Sequence, residues 1–238
     1  MEIIKADIMG YCMGVRRAVE SAEQSIKDFP HKNIYTLGPL IHNQNALDNL
    51  EQKGVRVLKL QNDKFSFDID ENSVVIVRAH GVAPQIIKLL EKTGCTIINA
   101  TCPRVLSNQK RAADFAKRQF AVIIAGDKNH GEVTGIAGCA EAAATGNSRC
   151  ILVGNKQDAQ DYVAQIQNEQ EPEPEKAILI CQTTISRSEY DTVVEVLKPA
   201  LPNLEVFDTI CPATTERQDA LADLEGKVDG VLIIGGKN

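Results

Sequence analysis

Short apolar runs alternate with longer amphipathic stretches along most of the chain, and this alternation restricts the fold more than any other feature of the sequence. Ten runs have the length and composition of strands: 2–6, 33–38, 55–59, 73–78, 95–99, 120–126, 150–153, 177–181, 204–208 and 229–235. Eight stretches between them are predicted helices: 13–28, 43–52, 83–93, 103–118, 131–144, 155–168, 186–199 and 212–226. Because strands and helices alternate with short connections, the sequence predicts an α/β protein with mainly parallel sheets.

A strand–cysteine–helix pattern occurs three times, around Cys12, Cys102 and Cys211. Cys102 and Cys211 are each followed by Pro, which is favoured at the first position of a helix. Later loops repeat in the same order: LGPLIHN with AGDKNHGEV and IGGKN, and VRAHGVA with ICQTTIS. We therefore expect three pseudo-symmetric α/β modules at 1–102, 103–208 and 209–238, with Cys12 in the first and with the third incomplete.

The three repeated cysteines have the chemistry of metal ligands. A helix N-terminus favours the thiolate form of cysteine, and thiolate is the form that binds iron. Three equivalent thiolates that converge would hold one cubane iron–sulfur cluster and leave one iron without a protein ligand, open to substrate. The remaining four cysteines lie in or beside apolar runs and are expected to be ordinary buried residues: Cys95, Cys139, Cys150 and Cys181.

Composition narrows the class of protein. The net charge of −6 argues against general nucleic-acid binding, which requires a basic face. No apolar run approaches the roughly 20 residues that span a bilayer, and the first residues do not resemble a secretory signal. Seven cysteines without a CxxC pair are typical of free thiols or metal ligands in a reducing compartment, so a cytoplasmic protein without a membrane partner is expected.

Polar residues follow several predicted strands, where open α/β sheets bind ligands. Three of the four histidines, His42, His80 and His130, lie in such loops, and Gln182, Thr183 and Thr184 follow another strand. Protonated imidazoles, hydroxyls and backbone donors suit a small diphosphate. Glu132 lies two residues after His130 and is a candidate proton donor if burial raises its pKa.

Seven motifs, in this order, resemble those of the 4-hydroxy-3-methylbut-2-enyl diphosphate reductase family: YCMGVRRAV, GPLIHN, RAHGV, ATCP, GDKNHGEVTG, CQTTIS and TICPATTERQ. The family catalyses the last step of the non-mevalonate isoprenoid pathway. The resemblance implies three α/β lobes around a [4Fe–4S] cluster that is ligated by Cys12, Cys102 and Cys211. It also implies a reductive dehydroxylation that yields isopentenyl and dimethylallyl diphosphates, with electrons from a ferredoxin- or flavodoxin-like donor.

The same resemblance implies roles for the polar loops. Catalytic roles fall on Glu132 and Thr183, which would relay protons to the substrate hydroxyl, and on His130. The substrate-binding set would comprise His42, His80, His130, Thr183, Thr184, Gln182 and Asn238. In the family the strand at 231–234 leads into a Ser-Ser-Asn segment that holds the diphosphate, and this chain stops at Asn238, so we expect a third module that is cut short.

Three other hypotheses for the function of these residues remain open. Three cysteines and one histidine suit a structural zinc site, although such sites usually pair their ligands locally in the sequence. The histidine and threonine loops alone would suit a phosphate-ligand binding module without chemistry. Cys102 or Cys211 could instead be the nucleophile of a thiol enzyme.

Overall fold

The computed structural model describes residues 2–41, 43–62 and 64–234. These residues form two compact units. The first unit comprises the described parts of Met1–Ala79, Leu89–Cys102 and Pro212–Asn238, and the second comprises His80–Lys88 and Pro103–Cys211. Among the helices of this described part, none combines the length and apolar character that a membrane crossing requires. The division at 1–102, 103–208 and 209–238 stays a prediction.

The first unit is built on a four-stranded parallel sheet with the order β2-β1-β5-β6. A short antiparallel hairpin of β3 and β4 lies between β2 and β5 in the chain. The strands are β1 (Asn33–Leu37), β2 (Val55–Leu58), β3 (Leu60–Gln61), β4 (Lys64–Phe65), β5 (Ser73–Val77) and β6 (Thr96–Asn99). The helices are α1 (Met13–Asp28), α2 (Gln44–Gln52), α3 (Pro84–Glu91), which the unit boundary divides, and, after the second unit, α8 (Pro212–Ala222).

The second unit repeats this plan with a parallel sheet of order β10-β9-β7-β8. Its strands are β7 (Ala121–Ala125), β8 (Cys150–Val153), β9 (Ala177–Cys181) and β10 (Leu204–Val206). Its helices are α4 (Pro103–Lys117), α5 (Gly131–Ala143), α6 (Lys156–Gln167) and α7 (Arg187–Ala200). The predicted α/β class with mainly parallel sheets is therefore confirmed.

Burial explains why these segments form central strands. Every residue of β5, β7 and β9 is buried, as expected for parallel strands covered by helices on both faces. In the first unit, α1 packs against the sheet through small residues spaced three or four apart, Gly14, Ala18, Ala22 and Ser25. The small side chains let the helix approach closely, and the core there includes Ile34, Val74 and Ile76.

Each sheet has a topological switch point, where consecutive crossovers leave in opposite directions. In the first unit, β1 leads through α2 to β2 on one side, and β5 leads through α3 to β6 on the other. In the second unit, β7 and β9 diverge in the same manner towards β8 and β10. Ligands of open α/β sheets bind in the crevice at the carboxyl ends of such strands. The residues that follow β1, β5, β7 and β9 therefore lie where a ligand of such a sheet would bind.

Two predicted strands are wrong. Residues 2–6 and 229–234 belong to no strand, while residue 235 lies outside the described residues. A strand requires a neighbour that accepts and donates its backbone hydrogen bonds, and no described strand pairs with either segment. Their apolar side chains are exposed, with Ile3 at 74% and Leu232 at 84% exposure.

Candidate active site

Cys12 and Cys102 lie at the same end of α1. Cys12 is the N-cap residue of this helix, and its side chain makes no capping hydrogen bond. Cys102 lies against the first turn of the helix, because a Cβ placed on Gly14 would be 2.8 Å from the Cys102 Sγ. The Cys102 backbone N–H donates to the Ala79 carbonyl at 2.9 Å, which fixes its backbone at the end of β5. Glycine at position 14 is thus the residue that permits this approach.

Cys211 ends the loop that follows β10 and precedes Pro212, the first residue of α8. Its backbone N–H donates to the Thr183 carbonyl at 2.8 Å, so its backbone is registered on the segment after β9. Within the first unit, α8 contacts the segment before Cys12 through a hydrogen bond from Arg217 Nη2 to the Gly10 carbonyl at 3.1 Å. Cys12, Cys102 and Cys211 are all partly exposed, as are Cys95, Cys139 and Cys150, so exposure alone does not distinguish the repeated cysteines.

Three of the other cysteines differ in their chemistry. Burial raises the pKa of Cys139 to about 11 and that of Cys181 to about 11. Burial also raises the pKa of Cys150 to about 12, with a smaller contribution from Glu141. These thiols stay protonated at neutral pH, and a protonated thiol is a poor metal ligand. Of the cysteines expected to be buried, Cys181 is buried, while Cys95, Cys139 and Cys150 are partly exposed.

A carboxyl–hydroxyl pair forms the buried centre of the second unit. Thr183 donates to Glu132 twice, from its N–H to Oε1 at 2.7 Å and from its hydroxyl to Oε2 at 2.8 Å. Glu132 is 1% exposed and Thr183 is 6% exposed. Burial raises the pKa of Glu132 above its ordinary value of 4.5, and the two hydrogen bonds from Thr183 oppose this rise in part. The pair therefore combines a carboxyl group whose pKa is raised by burial with a hydroxyl in direct hydrogen-bond contact.

His130 and His80 lie together in the second unit. His130 is the N-cap residue of α5, and its Nδ1 accepts the Glu132 N–H at 3.2 Å. This bond assigns the proton of a neutral imidazole to Nε2, which is then a donor nitrogen. The rings of His80 and His130 are 4.8 Å apart, centroid to centroid, and meet edge to face. The fold thus brings together two of the three histidines that were predicted to bind the diphosphate.

Gln182 ties the two switch-point strands of the second unit together. Its Oε1 accepts the Asp127 N–H at 3.0 Å, and its Nε2 donates to the Thr184 hydroxyl at 2.8 Å. A Cβ on Gly126 would lie 2.7 Å from the Gln182 Cβ, so glycine permits this side chain to cross the end of β7. Gln182 is therefore placed to hold Thr184, and with it the loop that carries Thr183, against the residues that follow β7.

Two predicted site residues, His42 and Asn238, lie outside the described residues. Sequence reasoning did not assign a role to Arg78, although it lies in the RAHG motif. In the first unit its guanidinium lies against Gly38, at the switch point between β1 and β5, and its buried Nε has no hydrogen-bond partner among the described residues. Burial lowers the pKa of this guanidinium. A second overlooked residue, Thr209, forms two hydrogen bonds with the backbone of β9.

Among the described residues, no group of three or more His, Cys, Asp or Glu side chains is arranged as a metal site. The donor chemistry of the repeated cysteines nevertheless fits an iron–sulfur group. Each of the three precedes a helix, each is partly exposed, and Gly14 leaves the Cys102 thiol in place at the end of α1. Thiolates at helix N-termini are the ligands that such a group requires.

The fold and the site together define a class: a parallel α/β protein with a buried acid, a hydroxyl and two imidazoles gathered at the carboxyl ends of its strands. The sequence model described as LytB protein matches residues 3–238. A protein of Treponema denticola is 42% identical over 243 residues, which cover 100% of this chain and 79% of the relative. A protein of Thermoanaerobacter sp. is 36% identical over 239 residues, which cover 100% of this chain and 76% of the relative. Both are named 4-hydroxy-3-methylbut-2-enyl diphosphate reductase.

Two solved structures that are similar to this chain are also described as diphosphate reductases. A structure of (E)-4-hydroxy-3-methyl-but-2-enyl diphosphate reductase, described as the terminal enzyme of the non-mevalonate pathway, has a TM-score of 0.78 and 34% identity over 99% of this chain and 77% of its own. The corresponding reductase from Plasmodium falciparum has a TM-score of 0.77 and 31% identity over 92% of this chain and 63% of its own. The chain belongs to the LytB family, and the resemblance in its motifs is confirmed.

Proposed function

We propose that this chain is a 4-hydroxy-3-methylbut-2-enyl diphosphate reductase. The overall reaction exchanges the allylic hydroxyl for hydrogen: two electrons and two protons convert the substrate to water and to isopentenyl or dimethylallyl diphosphate. The observation that carries the proposal is the buried Glu132–Thr183 pair beside His130, because it supplies a proton path at the end of parallel strands. The names of the relatives at 42% and 36% identity support the choice of substrate.

Glu132 and Thr183 would act in series. The raised pKa of Glu132 favours its acid form, which is able to give a proton to the Thr183 oxygen. The Thr183 hydroxyl, which here donates to Glu132 Oε2, would turn towards the substrate and pass its own proton to the departing oxygen, which leaves as water. The second hydrogen bond, from the Thr183 N–H to Oε1, holds the carboxyl group in register throughout. Such a relay needs no movement of the backbone.

The histidines and their neighbours would hold the diphosphate. His130 presents Nε2 as donor because Nδ1 is occupied by the Glu132 N–H, and His80 lies at 4.8 Å from it, centroid to centroid. Two adjacent imidazoles that donate to one diphosphate would share its negative charge. His42 and Asn238 complete the proposed set, and Gln182 and Thr184 would fix the loop that carries Thr183.

We infer that Cys12, Cys102 and Cys211 ligate a [4Fe–4S] cluster in which one iron lacks a protein ligand. When bound, this group supplies the electrons one at a time and a Lewis-acidic iron for the hydroxyl. The residues of the chain then bind the diphosphate, orient the hydroxyl and deliver protons. A ferredoxin- or flavodoxin-like protein is the electron donor that we expect.

Anaerobic purification with iron, zinc and sulfide quantitation tests the cofactor, and a turnover assay with a chemical reductant tests the reaction. We expect about four iron and four sulfide per chain and a brown chromophore. The assay should yield both diphosphate products from the hydroxylated substrate. One zinc per chain without sulfide would contradict the proposed iron–sulfur cluster and favour a structural zinc site. Substrate binding without any turnover by the iron-loaded protein would favour a binding module.

Cysteine variants separate ligands from packing residues. Cys12→Ser, Cys102→Ser and Cys211→Ser should each lose most of the iron, because serine is a much weaker ligand for iron than thiolate. Cys139→Ala is the matched control, since its thiol has a pKa of about 11 and stays protonated. Equal iron loss in the control would contradict the ligand assignment. A covalent substrate adduct at one cysteine, with the others dispensable, would favour a thiol enzyme instead.

A further inference from the structure

The loop from Phe207 to Cys211 follows β9 beyond the end of the regular sheet. The last registered pair of β10 and β9 joins Val206 and Leu179. The Phe207 N–H donates to the Leu179 carbonyl at 2.9 Å, and the Cys211 N–H donates to the Thr183 carbonyl at 2.8 Å. The residues that pair, 207 with 179 and 211 with 183, are equally spaced, so the loop runs alongside β9 as a continuation of the ladder.

One side chain supplies the missing rung between these two bonds. The hydroxyl of Thr209 accepts the N–H of Cys181 at 2.9 Å and donates to the carbonyl of Cys181 at 2.9 Å. The backbone carbonyl that a regular ladder would offer here, that of Phe207, instead accepts the Tyr190 hydroxyl at 2.8 Å. Cys181 is fully buried, so its N–H would have no partner without Thr209. A buried donor without a partner destabilises a fold more than the loss of an ordinary hydrogen bond.

We propose that Thr209 is a positioning residue that holds Cys211 in register with Thr183, and so fixes a ligand of the iron–sulfur group relative to the proton relay. The inference extends the proposed function, in which Cys211 is a ligand and Thr183 donates to Glu132. Thr209 lies two residues before Cys211 and opposite Cys181, which itself lies two residues before Thr183. Its hydroxyl is thus the link that keeps the two segments parallel up to the site.

Thr209→Val is the decisive variant, because valine keeps the shape of threonine and removes only the hydroxyl. Thr209→Ser keeps the hydroxyl and should restore wild-type behaviour. Thr192→Val is the matched control, since the Thr192 hydroxyl also donates to a backbone carbonyl, that of Glu189, but on the exposed surface of α7. All three are compared with wild type in the full chain, both as apoprotein and after anaerobic reconstitution.

The first measurement is hydrogen exchange of the amides in 207–213 together with alkylation of individual cysteines in the apoprotein, resolved by peptide mass spectrometry. In Thr209→Val we expect both the Cys211 amide exchange and the Cys211 alkylation to be about ten-fold faster, which corresponds to about 1.4 kcal/mol. Cys12 and Cys102 should react at their wild-type rates. Thr209→Ser and Thr192→Val should stay within about two-fold of wild type.

The second measurement is the rate at which a chelator removes iron from the reconstituted protein, together with its reduction potential. We expect iron loss to be about ten-fold faster in Thr209→Val, and the serine variant to recover the wild-type potential. A wild-type chain that binds no iron–sulfur group would refute the proposed function, whereas exchange and alkylation in the apoprotein would still decide the role of Thr209. Unchanged Cys211 exchange and alkylation in a folded Thr209→Val would overturn the inference.

Hydrogen exchange of the backbone amides in the wild-type chain tests the same link if Thr209→Val does not fold. If Thr209 links the two segments, the amides of Cys181 and Cys211 open together and show the same dependence on denaturant. An amide of Cys211 that exchanges by an independent, local opening at least 100-fold faster than that of Cys181 would overturn the proposed link.

Discussion

Replacement of Gly14 by alanine sets two effects of opposite sign against each other. Within a helix, alanine is more stable than glycine by about 1 kcal/mol, and less than this is expected in the first turn, where Gly14 lies. The new Cβ, however, would lie 2.8 Å from the Cys102 Sγ and 3.0 Å from the Cys102 Cβ. Overpacking of this kind destabilises a protein by about 1–3 kcal/mol.

The destabilisation from the steric contact with Cys102 should exceed the gain in helix propensity. Cys102 has little freedom to withdraw, because its N–H donates to the Ala79 carbonyl and its side chain packs against the core of the first unit. We therefore expect Gly14→Ala to lower the free energy of unfolding of the apoprotein by about 1–2 kcal/mol. Urea unfolding, monitored by circular dichroism, measures this as a lower midpoint at an unchanged slope.

A double-mutant cycle attributes the effect to Cys102. In a Cys102→Ala background the 2.8 Å contact with sulfur is absent and only the 3.0 Å contact with Cβ remains. Gly14→Ala should then cost less, with a coupling of at least about 0.5 kcal/mol. Gly230→Ala is the control, since a Cβ there would meet no atom within 4 Å. A Gly14→Ala chain that is more stable than wild type, with no coupling to position 102, would refute the close approach of α1 to Cys102.

Three further predictions concern the second unit. Because burial raises the pKa of Glu132 above its ordinary 4.5, its stabilising contribution is complete below that pH and is lost as the pH rises through the raised value. In urea unfolding, wild type should therefore lose stability relative to Glu132→Gln as the pH rises above about 4.5. Thr183→Val should lower kcat by about 10²-fold with a smaller effect on KM, and Thr183→Ser should recover most of it; an unchanged kcat would exclude the proton relay. Gln182→Leu should lower the unfolding free energy by about 0.5–1.5 kcal/mol, because the part-buried hydrogen bond from the Asp127 N–H is lost, whereas the exposed Gln157→Leu should change it little.

The fold class could be predicted from the sequence because buried parallel strands have a simple signature. The runs that became β5, β7 and β9 are apolar at every position except Ser73 and are bounded by polar loops, and every residue in them is buried. The same signature misled at 2–6 and 229–234, where apolar residues have no strand beside them. Local composition reports the propensity of a segment for a strand, but a strand also requires a partner, which composition does not supply.

The site was predictable where a residue type carries its own chemistry. Glu132, Thr183, His80 and His130 were named from the sequence, and the structure brings the first two into direct hydrogen bonds and the histidines into ring contact. Thr209 was not named, because a threonine in a loop has no distinctive pattern. Its role depends on which backbone groups its hydroxyl reaches, and the sequence does not specify that distance.

The two switch points show how a repeated backbone carries different chemistry. In each unit the strand that precedes the first crossover is followed by a glycine, Gly38 or Gly126, whose backbone N–H donates to the neighbouring strand at 2.8 or 3.0 Å. In each unit the residue after the adjacent strand lies across this glycine: Arg78 over Gly38 and Gln182 over Gly126. Both glycines have positive φ, 74° and 154°, so the chain can turn beneath that side chain without a Cβ in the way.

The difference between the two side chains follows from what surrounds each. Gln182 offers an acceptor and donors, and it satisfies the Asp127 N–H and the Thr184 hydroxyl, which orders the loop that carries Thr183. Arg78 has only donors, its pKa is lowered by burial, and its Nε has no partner among the described residues. In the second unit the neutral amide of Gln182 organises its neighbours through hydrogen bonds. In the first unit the desolvated guanidinium of Arg78 makes the local electrostatic potential more positive. Parallel topology fixes where the two side chains stand, and the residue type determines what each one does there.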